Sequence, residues 1–322
     1  MLKTEKKIKL YFIGSGEIGI PVLKRLTESN SIDIVGIGTQ DDKIAGRKKK
    51  LTPTPIAAWA VNNNFEVDKI KSVNSDSFLS CLNGLTPDII LIISFGQILK
   101  ERILNIASKD CVNIHTSLLP GYRGASPISS AILNGDMKTG VTFMRVQKAL
   151  DSGPIFQMNE YVMTMKETSL ELESILGNLA AENVVDVLEK ICHESMKPVE
   201  QDHENATYVK KVKKEDGLLS WNDSAEKIER MVRGYYPWPG AYFFINTGKK
   251  HKRVQITSAG IRKNIIGEPG FILKADKKEW IVACGDYSLE IKKLIPEGKN
   301  EMTGTEFLMG HRLKEGMNLL NE

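Results

Sequence analysis

Ile8-Lys-Leu-Tyr-Phe-Ile13 runs directly into Gly14-Ser-Gly16-Glu-Ile-Gly19, after which Ile20, Leu23 and Leu26 recur at helical spacing. A short apolar run, a glycine turn and an amphipathic helix over 17–29 form one strand–turn–helix unit. The unit then repeats along the first half of the chain. Residues 32–38, 89–94 and 110–115 read as strands, and residues 55–62, 126–134 and 168–192 as helices. Strands alternating with helices predict an α/β fold with a Rossmann-like, doubly wound, mostly parallel sheet. Ligands of such sheets sit beyond the carboxyl ends of the strands, which puts residues 94–97 and 113–117 at the rim of a cleft.

The pattern loosens between about residues 194 and 212, where Met196-Lys-Pro-Val and Gln201-Asp-His-Glu-Asn precede Lys210-Lys-Val-Lys-Lys214. The expected organisation is a catalytic domain over 1–194, a linker over 195–213 and a second domain over 214–322. Residues 224–233 predict a helix capped by Ser224 with glutamates early in it. Beyond it, short apolar runs at 241–245, 253–259, 270–273, 280–283 and 288–294 are separated by Gly, Asn and Lys. Many short strands at this spacing predict a small β-barrel or sandwich. Trp238, between two prolines, reads as a packing residue.

Bulk composition narrows the class. The 322 residues are 41% hydrophobic and 26% charged, ordinary for a globular protein with a sizeable core. Cys81, Cys111, Cys192 and Cys284 are far apart and form no CxxC pair. That argues against a disulfide framework and against a metal site, and fits a reducing, cytoplasmic location. No uncharged apolar run reaches the roughly 18 residues of a membrane span, so no membrane association is expected. The net charge of +4 is uneven: residues 207–322 carry 21 Lys+Arg against 15 Asp+Glu. An anionic partner touching the second half would explain the excess, as would a solvated lysine-rich surface.

The chemistry concentrates at Asn113-Ile-His115, followed by Ser117-Leu-Leu-Pro120 and by Leu150-Asp151-Ser-Gly153. Side chains two apart on a strand share a face, so Asn113 and His115 point into one space. An amide N–H can hold an oxyanion and an imidazole can move a proton, a combination suited to acyl transfer. A carboxylate at Asp151 would orient the imidazole and favour its charged form. Asp151 also sits in a turn-like Asp-Ser-Gly, where a capping role is the alternative. The glycine turn, with Asp41 further on, meets the pattern of a dinucleotide fingerprint. Asp41-Asp42 leads straight into a basic run instead of closing a ribose pocket, however, which favours a structural turn lining another ligand's cleft and no NAD.

Taken together, Asn113-x-His115, Ser117-Leu-Leu-Pro120, Tyr122-Arg-Gly-Ala-Ser-Pro127, Thr139-Gly-Val-Thr142 and Leu150-Asp-Ser-Gly-Pro154 resemble the folate-dependent formyltransferases. The resemblance spans nearly the whole chain, including Thr39-Gln40, Gly46-Arg47-Lys-Lys-Lys-Leu51, residues 208–214 and Tyr236-Pro-Trp-Pro-Gly240. It implies a Rossmann-like catalytic domain and an OB-like C-terminal barrel. It implies 10-formyltetrahydrofolate as co-substrate, no metal, and formyl transfer to the α-amino group of methionine on initiator Met-tRNA. Asn113, His115 and Asp151 would be catalytic. Phe95, Gln97, Leu99, Ser117, Leu118, Leu119 and Pro120 would line the folate site, with backbone groups near Ser94–Leu99 reading the pterin edge. Lys43, Arg47, Lys48, Lys49 and Lys50, with Lys210, Lys211, Lys213 and Lys214, would contact tRNA in a monomeric enzyme. Gly121 departs from the family, whose members often carry a basic residue there. Three other readings stay open on the residues alone: a formyltransferase acting on a small amine, an NAD(P)-dependent dehydrogenase, and a non-catalytic RNA-binding protein on the same fold.

Overall fold

The computed structural model describes residues 6–45, 50–246 and 251–319. Its strands are β1 (Ile8–Gly14), β2 (Ile32–Gln40), β3 (Lys43–Ala45), β4 (Lys50–Thr52), β5 (Asp68–Ile70), β6 (Ile89–Ile93), β7 (Asp110–His115), β8 (Arg123–Gly124), β9 (Lys138–Arg145), β10 (Ile155–Val162) and β11 (Tyr208–Val209), then β12 (Ala241–Asn246), β13 (His251–Arg262), β14 (Ile272–Ala275), β15 (Trp280–Ala283), β16 (Ser288–Pro296) and β17 (Met302–Thr303). Its helices are α1 (Gly19–Thr27), α2 (Pro55–Asn62), α3 (Asp76–Leu85), α4 (Glu101–Leu104), α5 (Pro127–Asn134), α6 (Ser169–Cys192), α7 (Ala225–Gly234) and α8 (Gly304–His311). The chain divides into two compact units. The first comprises the described residues up to Pro127, with Lys138–Val162 and Glu173–Lys210; the second comprises Ile128–Met137, Met163–Leu172 and the described residues from Lys211 onward.

A seven-stranded sheet in the order β10-β9-β7-β6-β1-β2-β5 organises the first unit. Strands β5, β2, β1, β6 and β7 pair in parallel, as the alternating pattern predicts. Strands β9 and β10 add an antiparallel edge that the sequence reading did not anticipate. Every residue of β6 is buried, because a parallel sheet is covered on both faces. One face packs Tyr11, Ile13, Ile90 and Ile92 against Phe78, Leu79 and Leu82 of α3. That helix starts where the Ser75 side chain accepts the Phe78 N–H, satisfying one of the orphan donors of its first turn.

The strand order reverses at β1, since β2 lies on one side of it and β6 on the other. The carboxyl ends of β1 and β6 therefore flank the crevice of the sheet, and Ser15 N–H donates to the Ser94 carbonyl across it (3.2 Å). A Cβ on Gly14 would lie 2.8 Å from the Phe12 ring, and one on Gly16 2.6 Å from Ser94 Oγ. Close packing of the strand–helix turn thus accounts for these two glycines of the fingerprint-like run.

The second unit carries an antiparallel sheet in the order β12-β13-β16-β15-β14, with β17 beside β16. Its core encloses Trp221, Phe243, Trp280, Leu289 and Phe307 together with Ile228 and Val232 of α7. Register shifts after Ile256 and Ser258 interrupt the pairing of the long strand β13 with β16, and bulges of this kind bend a strand. This is the OB-like β-domain expected after the α/β half. Ser224 caps α7 by accepting the Lys227 N–H (3.1 Å), as expected. Trp238 corrects the sequence reading: it is 59% exposed, while its neighbours Pro239 and Ala241 take the buried places. Among the described residues no helix is long and apolar enough to cross a membrane, and no His, Cys, Asp and Glu side chains cluster in a way that could hold a metal.

Candidate active site

Strand β7 sets the site. Its first residue, the buried Asp110, is gripped by Arg145 of β9 through Nε and Nη2 at 2.6–3.0 Å. The hydrogen bonds and charge of Asp110 raise the Arg145 pKa further above its already high value. This pair fixes the β7–β9 register, in which Asn113 faces Met144 and His115 faces Thr142. At the opposite end of β7 the ladder gives way to a loop over Ser117-Leu-Leu-Pro120. Thr142 Oγ1 donates to the Ser117 carbonyl (2.6 Å) and accepts the Leu119 N–H (3.2 Å). Ser117 Oγ donates to the Gly121 carbonyl (2.6 Å). The loop is therefore held by Thr142 of β9 and by its own polar groups.

His115 is 6% exposed, and its two ring nitrogens have different surroundings. Nε2 lies 2.9 Å from the Tyr122 carbonyl oxygen. A carbonyl only accepts, so Nε2 carries the proton and the neutral ring presents an unprotonated Nδ1. Nδ1 faces Asp151 Oδ2 at 3.7 Å, close enough for the carboxylate to favour a proton on Nδ1. Asp151 Oδ2 itself accepts the Gly124 N–H (2.8 Å). Asp151 adopts φ 46°, and Tyr122, which holds the other side of the imidazole, adopts φ 57°. Left-handed backbone at non-glycine residues costs energy and persists where the surroundings over-determine it. Asn113 is half-buried, and its side-chain amide has no hydrogen-bond partner among the described residues. The arrangement offers a free amide donor, a base nitrogen of defined tautomer and a fixed carboxylate behind it.

The residues expected around a pterin divide into two sets. Phe95 and Leu99 bury their side chains in the core beneath the sheet, at 3% and 7% exposure, so only their backbone can face a ligand. Gln97 is committed to the fold: its Oε1 accepts the Val73 N–H (2.9 Å) and its Nε2 donates to the Ile70 and Lys71 carbonyls. Gln40, which the sequence reading named within Thr39-Gln40 but gave no role, donates from Nε2 to the Phe95 carbonyl. Its Oε1 accepts from Lys43 Nζ (2.6 Å), so it links the basic hairpin β3–β4 to this turn. Ser117 and Leu119 are buried, whereas Leu118 and Pro120 are partly open.

Arg47, Lys48 and Lys49, expected as tRNA contacts, lie outside the described residues. Lys43, paired with Thr52 at the base of the hairpin, and Lys50, paired with Ala45, are exposed, as are Lys210, Lys211, Lys213 and Lys214.

Sequence reasoning also missed the layer behind Asp151. Gln201 Nε2 donates to the Asp151 carbonyl (2.9 Å) and to the Gly153 carbonyl (2.7 Å). Gln201 Oε1 accepts from Arg123 Nε (3.1 Å) and Nη2 (2.7 Å). Strand β11 pairs in parallel with β8, bringing residues 207–209 alongside Arg123 and Gly124. The partners are 48 to 85 residues apart in sequence, with no local spacing to reveal them.

Comparison with known proteins gives the same picture. The formyl transferase family model matches residues 6–188, and the model of the formyl transferase C-terminal domain matches residues 211–312. The chain is 34% identical to the methionyl-tRNA formyltransferase of Geobacter sulfurreducens, over 97% of this chain and 96% of that protein. It is 37% identical to the methionyl-tRNA formyltransferase of Thermodesulfovibrio yellowstonii, over 96% and 97%. Among solved structures, a sugar 3N-formyltransferase crystallised with dTDP and 5-N-formyl-tetrahydrofolate superposes with a TM-score of 0.65 at 18% identity, covering 91% of this chain and 99% of that one. HypX from Aquifex aeolicus in complex with tetrahydrofolic acid superposes with a TM-score of 0.62 at 16% identity; the match covers 94% of this chain and 47% of HypX, so the chain spans about half that protein's length. These two likenesses concern the fold. With both domain models matched in order and relatives of this identity along its full length, the chain belongs to the methionyl-tRNA formyltransferase family.

Proposed function

We propose that the protein transfers the formyl group of 10-formyltetrahydrofolate to the α-amino group of methionine on initiator Met-tRNA, yielding formylmethionyl-tRNA. The observation that carries the chemistry is the grouping of a free Asn113 amide, the Nδ1 face of His115 and the Asp151 carboxylate. The methionyl amine nitrogen bonds to the formyl carbon, the carbonyl electrons move onto oxygen, and His115 Nδ1 takes the proton that the nitrogen loses. Asn113 donates its amide N–H to that oxyanion, an interaction typically worth roughly 2.7–4 kcal/mol of barrier. Asp151 stabilises the imidazolium formed in the same step. Collapse of the tetrahedral intermediate breaks the carbon bond to the folate nitrogen, and His115 returns the proton to the leaving group.

The exposed lysines at Lys43, Lys50, Lys210, Lys211, Lys213 and Lys214, with Arg47, Lys48 and Lys49, bind tRNA phosphates and position the acceptor end, a role that weakens with salt. The pterin is held by backbone groups around Ser94–Leu99 and by the Ser117–Pro120 loop. The test is single-turnover formylation with 10-formyltetrahydrofolate, comparing initiator with elongator Met-tRNA. Transfer selective for the initiator supports the reading. Folate binding without transfer to either tRNA would overturn it and move the acceptor to a small amine.

A further inference from the structure

Arg123 is a guanidinium at 2% exposure, with no carboxylate within ion-pair distance among the described residues. Its polar contacts are neutral: Gln201 Oε1, His203 Nδ1 at 2.9 Å and the Tyr208 hydroxyl at 3.1 Å, with the Tyr208 ring 5.8 Å from its Cζ. Burying a cation without a counter-charge costs several kcal/mol, so its retention calls for a reason beyond stability. The hydrogen bonds supply one. A guanidinium only donates, so it dictates which end of the Gln201 amide faces it: the oxygen. The Gln201 NH2 group is then forced to the opposite side, where it finds two acceptors, the carbonyls of Asp151 and Gly153.

Those carbonyls belong to the turn that presents the Asp151 carboxylate to His115. The turn is left-handed at Asp151, and a Cβ at Gly153 would collide with the Arg145 carbonyl, so it has no slack on that side. No hydrogen bond or ion pair joins the Asp151 side chain to Arg123 or Gln201; the polar grip is on backbone only. The carboxylate is thereby aimed without being neutralised, since its Oδ2 stays with the Gly124 N–H and the imidazole.

We infer that Arg123 and Gln201 are positioning residues for the transfer reaction: the buried guanidinium orients the Gln201 amide, which clamps the Asp151–Gly153 turn and so sets the carboxylate against His115 Nδ1. The inference rests on the reaction proposed above. It separates Gln201 and Arg123 from residues that merely stabilise the unit, because their effect must pass through Asp151.

A double-mutant cycle reads that dependence. Gln201→Met keeps length and removes both ends of the clamp. Its single-turnover rate falls about 10- to 100-fold, as expected for a catalytic group displaced by about an ångström, while KM for tRNA and folate stays within about twofold. In an Asp151→Asn background the same substitution changes the rate by less than about twofold, because the group it positions has already lost its charge. Gln201→Glu, which keeps the Arg123 contact but turns an oxygen toward the two carbonyls, loses rate as Gln201→Met does. Where a double variant fails to fold, 15N spectra of the His115 ring in folded Gln201→Met replace the cycle, and displaced ring shifts are expected. A folded Gln201→Met enzyme with wild-type rate overturns the inference, as do an equal loss in the Asp151→Asn background or unmoved His115 shifts. A wild-type enzyme that transfers no formyl group overturns the proposed reaction instead, so the two failures are distinct.

Discussion

At the scale of single residues, the site turns on the asymmetry of one imidazole. The Tyr122 carbonyl accepts the Nε2 N–H and leaves Nδ1 unprotonated, with a carboxylate fixed 3.7 Å beyond it. Asp151 then matters through its charge, not its bulk. Asp151→Asn keeps the shape and the Gly124 contact while removing the counter-charge of the imidazolium. The expected result is a loss in kcat of about 100-fold or more, the range of acid–base assistance, with a modest change in KM. Steady-state kinetics at saturating tRNA check it, and a wild-type rate would remove Asp151 from the mechanism. Asn113, His115 and Asp151 were legible as chemistry because residue type and the two-residue strand spacing are local signals. Gln201 and Arg123 were not, since their roles arise from partners 50 and 78 positions away.

At the scale of elements, the site depends on strands too short to announce themselves. Strand β8 has two residues, and one of them is Gly124 at φ 113°. A Cβ there would run into the Val209 carbonyl of β11. Gly124→Ala therefore carries backbone strain of about 1–3 kcal/mol, separates β8 from β11 and moves the N–H that holds Asp151. A lowered urea midpoint together with reduced kcat is the expected outcome, and unchanged stability would contradict the geometry.

Buried Tyr11 gives the central sheet a second, pH-dependent anchor. Its hydroxyl donates to Asp68 Oδ2 at 2.6 Å, tying β1 to β5. Burial first, then the Asp68 hydrogen bond and charge, push the Tyr11 pKa far above its ordinary value. A folded-state pKa above the unfolded one means that the native state holds this proton more tightly. The stabilisation is complete below the unfolded pKa of about 10 and declines as pH rises above it. Wild-type stability should accordingly fall more steeply between pH 9 and 11 than that of Tyr11→Phe, measured by urea unfolding. Parallel slopes would show that Tyr11 ionises as freely in the folded protein as in the unfolded one.

The parallel strands β1 and β6 were legible because near-continuous apolar runs bounded by turns are what a doubly covered sheet demands. Helix α8 carries a Thr303–Glu306 capping box, a signal that was present but went unread. Trp238 misled because a tryptophan between prolines suggests packing, and only the fold reveals that Pro239 and Ala241 fill the interior in its place.

At the scale of the molecule, an α/β unit holding the chemistry is followed by an antiparallel β-unit rich in basic residues, and both match domain models of one enzyme family. The division suits a reaction with two very different substrates. Under the proposed function, a small folate would be recognised at the carboxyl ends of parallel strands, and a large polyanion drawn by dispersed lysines. The account stands or falls on whether the imidazole on β7 moves the proton of formyl transfer. The measurement that tests it most directly is the single-turnover rate of His115→Ala against wild type, with initiator Met-tRNA and 10-formyltetrahydrofolate both saturating. A loss of about 100- to 10,000-fold with binding of both substrates intact is expected; transfer at the wild-type rate would remove His115 from the reaction.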